Sequence, residues 1–144
     1  MSASARSWSR ARAISGATLP PAVIVHDRPQ IAALMALGRP VTLLSAPGFA
    51  VYGGCFWWQA IVAGYQAASL LDCADAGGRA LEALRLGLPG VILGRSAPNF
   101  ARIALIAAEC GALLLDTAPP ALDLAVRGAD RRLAGWLGGA AETG

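Results

Sequence analysis

From residue 22 to residue 116 the chain repeats one pattern: a short run of consecutive apolar residues, a polar or glycine-containing turn, then apolar positions at helical spacing. The runs Ala22 to His26, Val41 to Leu44, Ser69 to Asp72, Gly90 to Leu93 and Ala112 to Leu115 are mainly apolar rather than alternating, as strands buried on both faces of a parallel sheet require. Between them, Ile31, Leu34, Met35 and Leu37 predict a helix entered through Asp27 and Pro29, and Leu81, Leu84 and Leu88 predict another after Gly77-Gly78. Ile103, Leu105, Ile106 and Ala107 predict a third, opened by Ser96 and Pro98, and an uncharged stretch from about Gly53 to Ala67 predicts one more.

Strand starts about 20 to 28 residues apart suit right-handed βαβ crossovers. The expectation is an α/β domain over 22–117 of about five short βα units, its parallel sheet flanked by helices on both faces. A flavodoxin-like or Rossmann-like open sheet is preferred, with half of a TIM-type barrel as the alternative. Residues 1–21, ending in Leu19-Pro20-Pro21, read as a basic flexible arm, and 118–144 as a helical or flexible extension, with Leu122, Val126, Leu133 and Trp136 as its apolar side.

Composition narrows the chemistry. The chain has 144 residues, 56% hydrophobic and 15% charged, and all twelve basic residues are Arg. With no lysine there is no Schiff-base or pyridoxal-phosphate chemistry and no lysine-bearing phosphate loop. The net charge of +3 comes from Arg6, Arg10 and Arg12, since nine Arg balance nine acids from residue 22 onward. A basic stripe interleaved with aromatics is missing, so nucleic acid is not an expected partner. Cys55, Cys73 and Cys110 are spaced neither as a metal set nor as a redox pair, and they predict free thiols in a reducing, cytoplasmic compartment with no cofactor. Pro40 to Leu71 has no charged residue, yet its prolines, glycines and glutamines argue against a membrane span.

In parallel α/β sheets ligands bind beyond the carboxyl ends of the strands. That rule selects His26, Asp72, Asp75 and Asp116 as catalytic candidates, with the three aspartates also conceivable magnesium ligands. It selects Gly77, Gly78, Arg79, Arg95 and Ser96 as an anion-binding set, because paired glycines at a helix start expose backbone amides. Capping explains Asp27, Asp75 and Ser96 equally well.

Two resemblances bear on function. Gly53-Gly54-Cys55-Phe56-Trp57 resembles the active-site motif of A-type peptide methionine sulfoxide reductases, in which a cysteine at a helix N-terminus attacks the sulfoxide. Where that family carries an acid this chain has Ala60, so the similarity is taken as coincidental. The wider pattern, with Val41 to Gly48 and Leu71 to Gly78, looks like a family of small uncharacterised bacterial α/β proteins, which implies the fold and the limits 22–116 but no activity.

Cys55, Phe56, Trp57 and Trp58 are consecutive, and helix neighbours point about 100° apart, so at least one must face outward. Tyr52, Phe56, Trp57, Trp58, Ile61 and Tyr65 are therefore the expected interface. The leading expectation is a non-catalytic module that self-associates or joins a larger assembly and holds a small anionic ligand at its strand ends. The alternative is a small-molecule enzyme acting there on an acidic or phosphorylated substrate.

Overall fold

The computed structural model describes residues 19–139, so Arg6, Arg10 and Arg12 lie outside the described residues. The elements are β1 (Ala22–Ile24), α1 (Arg28–Met35), β2 (Thr42–Leu44), α2 (Phe49–Tyr52), α3 (Cys55–Val62), β3 (Ala68–Asp72), α4 (Gly77–Arg85), β4 (Gly90–Ile92), α5 (Phe100–Cys110), β5 (Leu113–Leu115), β6 (Ala121–Asp123) and α6 (Ala129–Ala134), followed by a π-helical turn, Gly135–Gly139. All six strands are parallel, in the order β5-β4-β3-β2-β1-β6. The chain is thus an α/β protein with an open parallel sheet.

Its strand order is sequential from β1 to β5. In a flavodoxin-like sheet the order reverses after the first strand; here each crossover steps the same way, as in a half barrel. Right-handed crossovers that all step one way place every helix on one face. The buried side chains sort accordingly. Val23, Leu43, Leu71, Val91 and Leu93 pack with Ile31 and Leu34 of α1, Trp58 of α3, Ala80 and Ala83 of α4 and Ile103 and Ala107 of α5. The opposite face gathers Ala22, Leu44, Leu70, Ile92 and Leu113 with Leu19, Ile24, Leu115 and Ala121, and no helical residue among them. The expected two-sided helical cover is therefore replaced by cover on one side.

The uncovered face is nonetheless buried, and the connection 116–120 explains how. Leu115 to Ala121 is six Cα steps, about 20 Å at full extension. A flat sheet would set β5 and β6 five spacings apart, about 24 Å, before the chain had returned to the start of a parallel strand. The sheet must curl until its edges approach, and the strand side chains then pack against one another across the concave side.

Gly90 sits where this packing is tightest. A Cβ there would lie 2.7 Å from the Leu70 side chain and 2.9 Å from the Ser69 carbonyl oxygen. Backbone cannot step aside as a side-chain tip can, so overpacking is unavoidable.

Three sequence-based boundaries shift. The helix expected from about Gly53 to Ala67 spans only Cys55–Val62, and a separate short helix, Phe49–Tyr52, precedes it; the break falls where Gly54 has φ +88° and a Cβ on Gly53 would strike the Phe49 ring at 2.4 Å. The helix expected from Ser96 begins at Phe100, with Asn99 at its N-cap. Residues 121–123, expected in a helical or flexible extension, pair with β1 and extend the sheet beyond residue 117. Gly90→Ala should lower the unfolding free energy by about 1–3 kcal/mol in a denaturant titration; a change within experimental error would contradict the close approach.

Candidate functional site

The carboxyl ends of the strands carry most of the polar side chains singled out from the sequence, but the structure divides them. On one side of the rim, His26 follows β1 and its Nε2 lies 2.7 Å from Asp123 Oδ1 at the end of β6. The His26 backbone N–H donates to Gln30 Oε1 at 2.7 Å, and Asp123 Oδ1 also accepts the Ala125 N–H at 2.9 Å. Burial tends to raise the Asp123 carboxyl, but the His26 hydrogen bond and the Ala125 N–H outweigh it and hold the group below its ordinary value. On the other side, Arg95 Nε donates to Asp116 Oδ2 at 2.6 Å, and that hydrogen bond, the largest influence, holds Asp116 below its ordinary value. The Arg95 guanidinium also lies over the Phe100 ring, 5.2 Å from its centroid, within cation–π reach.

Between these pairs, Asp72 Oδ1 accepts from the Ala74 N–H at 2.9 Å and so closes its own turn, while the buried Ser45 hydroxyl oxygen accepts the Asp72 N–H at 2.9 Å. Asp27 is a true N-cap, accepting from the Gln30 N–H at 2.9 Å. Asp75 is exposed and does not cap α4, whose N-cap is Ala76. Ser96 is exposed and three residues short of the α5 cap. No cluster of three or more His, Cys, Asp or Glu suited to a metal occurs among the described residues, so Asp72, Asp75 and Asp116 do not assemble a cation site.

The proposed anion set is also redistributed. Arg79 Nη1 donates to Glu82 Oε1 at 2.9 Å, which directs it along its own helix. Gly77 and Gly78 line an open cavity of about 400 Å³ between the start of α4 and the start of α5, and the arginine that joins them there is Arg102, beside Asn99 and Pro98. Part of the reason for Gly77 is packing: a Cβ there would lie 2.8 Å from Ile103 Cδ1.

At the start of α3, Cys55 is buried and its thiol donates to the Arg79 carbonyl oxygen at 3.3 Å. Burial, reinforced by Glu82, pushes its pKa up to about 11, and burial pushes Cys73 up to about 12. A nucleophilic cysteine needs the reverse. The reductase-like segment therefore lacks both the acid and the thiolate.

The aromatic segment is split by helix geometry. Cys55, Trp58 and Ile61, three apart, face the core, where Trp58 is 1% exposed and edge-on to Phe49 at 6.4 Å. Tyr52, Phe56 and Trp57 are 69%, 64% and 62% exposed, and Val51 lies open beside them. Of the six residues expected at an interface, Trp58 and Ile61 are core. Tyr65 is half-buried with the Arg28 guanidinium 4.8 Å over its ring, and Arg28 Nη1 in turn donates to the Ala60, Ile61 and Ala63 carbonyl oxygens that end α3. No family model, curated protein or solved structure matches the chain. No helix among the described residues is long and apolar enough to cross a membrane.

Asp123 was missed because its partner lies 97 residues away and β6 is only three residues long. The thiols supply the sharpest check. At pH 8 a thiol with pKa about 11 is ionised in roughly one molecule per thousand. Alkylation of the native protein at that pH should modify exposed Cys110 and spare Cys55 and Cys73, as read by peptide mass mapping. Because folding raises both buried pKa values, their stabilising contribution is full below about pH 9 and is lost as pH climbs through 11 and 12. Equal labelling of Cys55 and Cys110 would contradict this burial.

Proposed function

We propose that the protein is a non-catalytic α/β interaction module that self-associates through α2 and α3. The observation that carries this reading is the contiguous exposure of Val51, Tyr52, Phe56 and Trp57 in a stretch, Pro40 to Leu71, without a single charge. At the observed exposures these four side chains present on the order of 500 Å² of largely apolar surface, enough to mark an interaction site on a small protein. Aromatic residues are the type enriched at the centres of interfaces.

A second copy is the occupant that fits. A twofold contact lays a patch against itself, so a charge at its centre would meet its own copy. This patch has none. Tyr52 lies beside the Phe49 ring three residues earlier on α2, centroids 5.3 Å apart, which fixes one wall of the patch in place before association. The cytoplasmic setting belongs to the same proposal, supported by three cysteines that are free in the fold.

Phe56→Ser combined with Trp57→Ser should convert a dimer seen by sedimentation velocity into a monomer, with the thermal midpoint of the monomer little changed. Trp58→Ser is not a substitute, since it opens the core and should cost about 3–5 kcal/mol. A double variant that sediments like the parent would refute the patch as the contact.

The cavity between the starts of α4 and α5 favours a second property, the binding of a small anionic ligand. Two helix N-termini, the open Gly78 position and Arg102 converge on it. Titration calorimetry with pyrophosphate should show binding that Arg102→Gln weakens by about tenfold. No heat of binding, or an Arg102→Gln variant that binds equally, would leave Gly77 and Gly78 with a packing role alone.

A further inference from the structure

The edges of an open sheet carry unpaired backbone groups, and at β6 the unpaired edge opens into a groove. We infer that this edge takes an extended, acidic peptide as an added strand. The Leu124 N–H donates to the Ile24 carbonyl oxygen at 3.1 Å, so residue 124, and by the two-residue period of a strand residue 122, direct their backbone groups toward β1. Ala121 and Asp123 direct theirs the other way, where the Asp123 carbonyl oxygen already accepts the Val126 N–H at 3.1 Å, so an added strand would meet the N–H and carbonyl of Ala121 and the N–H of Asp123. Along that side runs a groove of about 590 Å³ lined by Ala121, Asp123, Val126, Arg131, Arg132 and Trp136 among others.

Arg131 and Arg132 are exposed, and no ion pair among the described residues engages either. Asp123, held by His26 and the Ala125 N–H, is the one carboxylate of the lining against two guanidiniums, so the groove is net positive. Trp136 donates from Nε1 to the Ala22 carbonyl oxygen at 2.7 Å, which fixes its ring at one end of the groove while the residue stays 37% exposed. A fixed aromatic, outward backbone groups and two open guanidiniums suit a strand whose alternate side chains are apolar and acidic.

The same charges select against other occupants. A second copy pairing β6 to β6 would bring Arg131 and Arg132 against their counterparts. The chain's own residues 1–18 contain three arginines and no acid. The site is independent of the α2–α3 patch, and neither proposal needs the other.

The test uses a short fluorescein-labelled peptide of alternating Val and Glu, with a Val and Lys counterpart. Anisotropy should report binding of the acidic peptide only, weakened about tenfold or more by Arg131→Glu with Arg132→Glu. Hydrogen exchange on the parent protein should show the Ala121 and Asp123 amides gaining protection when the acidic peptide is bound, with Leu122 and Leu124 already protected without it. Ala121→Pro removes an outward donor and should abolish binding without touching the β1 ladder. No binding of the acidic peptide, equal binding of the basic one, or binding without protection at 121 and 123 would each overturn strand addition at this edge; the exchange result stands even if the proline variant does not fold.

Discussion

The short connection between β5 and β6 is the constraint on which the rest of the structure depends. Five residues, 116–120, cannot reach from one edge of a flat six-stranded sheet to the other, so the sheet curls and its concave side closes on its own side chains. That closure lets Leu44, Leu70, Ile92 and Leu113 be buried with no helix above them. It also demands a strand position without a side chain, which Gly90 provides. A chain poor in charge is suited to this arrangement, because its strands must be apolar on both faces.

One-sided helical cover determines what remains outside. The helices pack on the convex face, and the uncharged pair α2 and α3 turns Ala50, Cys55, Trp58 and Ile61 inward with Phe49 and Val62 packed beside them. Its remaining large residues have no second layer to bury them. At the rim, the polar groups are mostly matched within the fold: His26 with Asp123, Arg95 with Asp116, Arg79 with Glu82. The proposed association rests on this contrast between a rim whose charges are largely paired and an apolar patch left exposed.

Much of the fold was legible because burial on both faces writes unbroken apolar runs into the sequence, as at Val41 to Leu44 and Leu113 to Leu115. The sixth strand was not, since Ala121–Asp123 is three residues long, ends in an acid and is held by pairing to β1, a contact across about a hundred residues. The break at Gly53-Gly54 was visible as glycines, but its cause, the Phe49 ring folded over Gly53, is a matter of packing. The same holds for the candidate site. Helix periodicity requires that one of Phe56, Trp57 and Trp58 face outward, and only the docking of α3 decides that Trp58 goes in. Arg102 replaced Arg79 beside Gly77 and Gly78 because α5 starts four residues later than its capping signals suggested, while Arg79 found Glu82 three residues along its own helix.

A double-mutant cycle on Leu70 and Leu113 tests the closure of the sheet most directly. Both lie on the face without helices, on strands separated by β4, and they meet across Gly90. Denaturant titrations of Leu70→Ala, Leu113→Ala and the double variant should give single losses of about 2–5 kcal/mol and a coupling above about 0.5 kcal/mol. Losses that are small and strictly additive would mean that this face lies open, contradicting the closure from which the one-sided exposure of α2 and α3 follows.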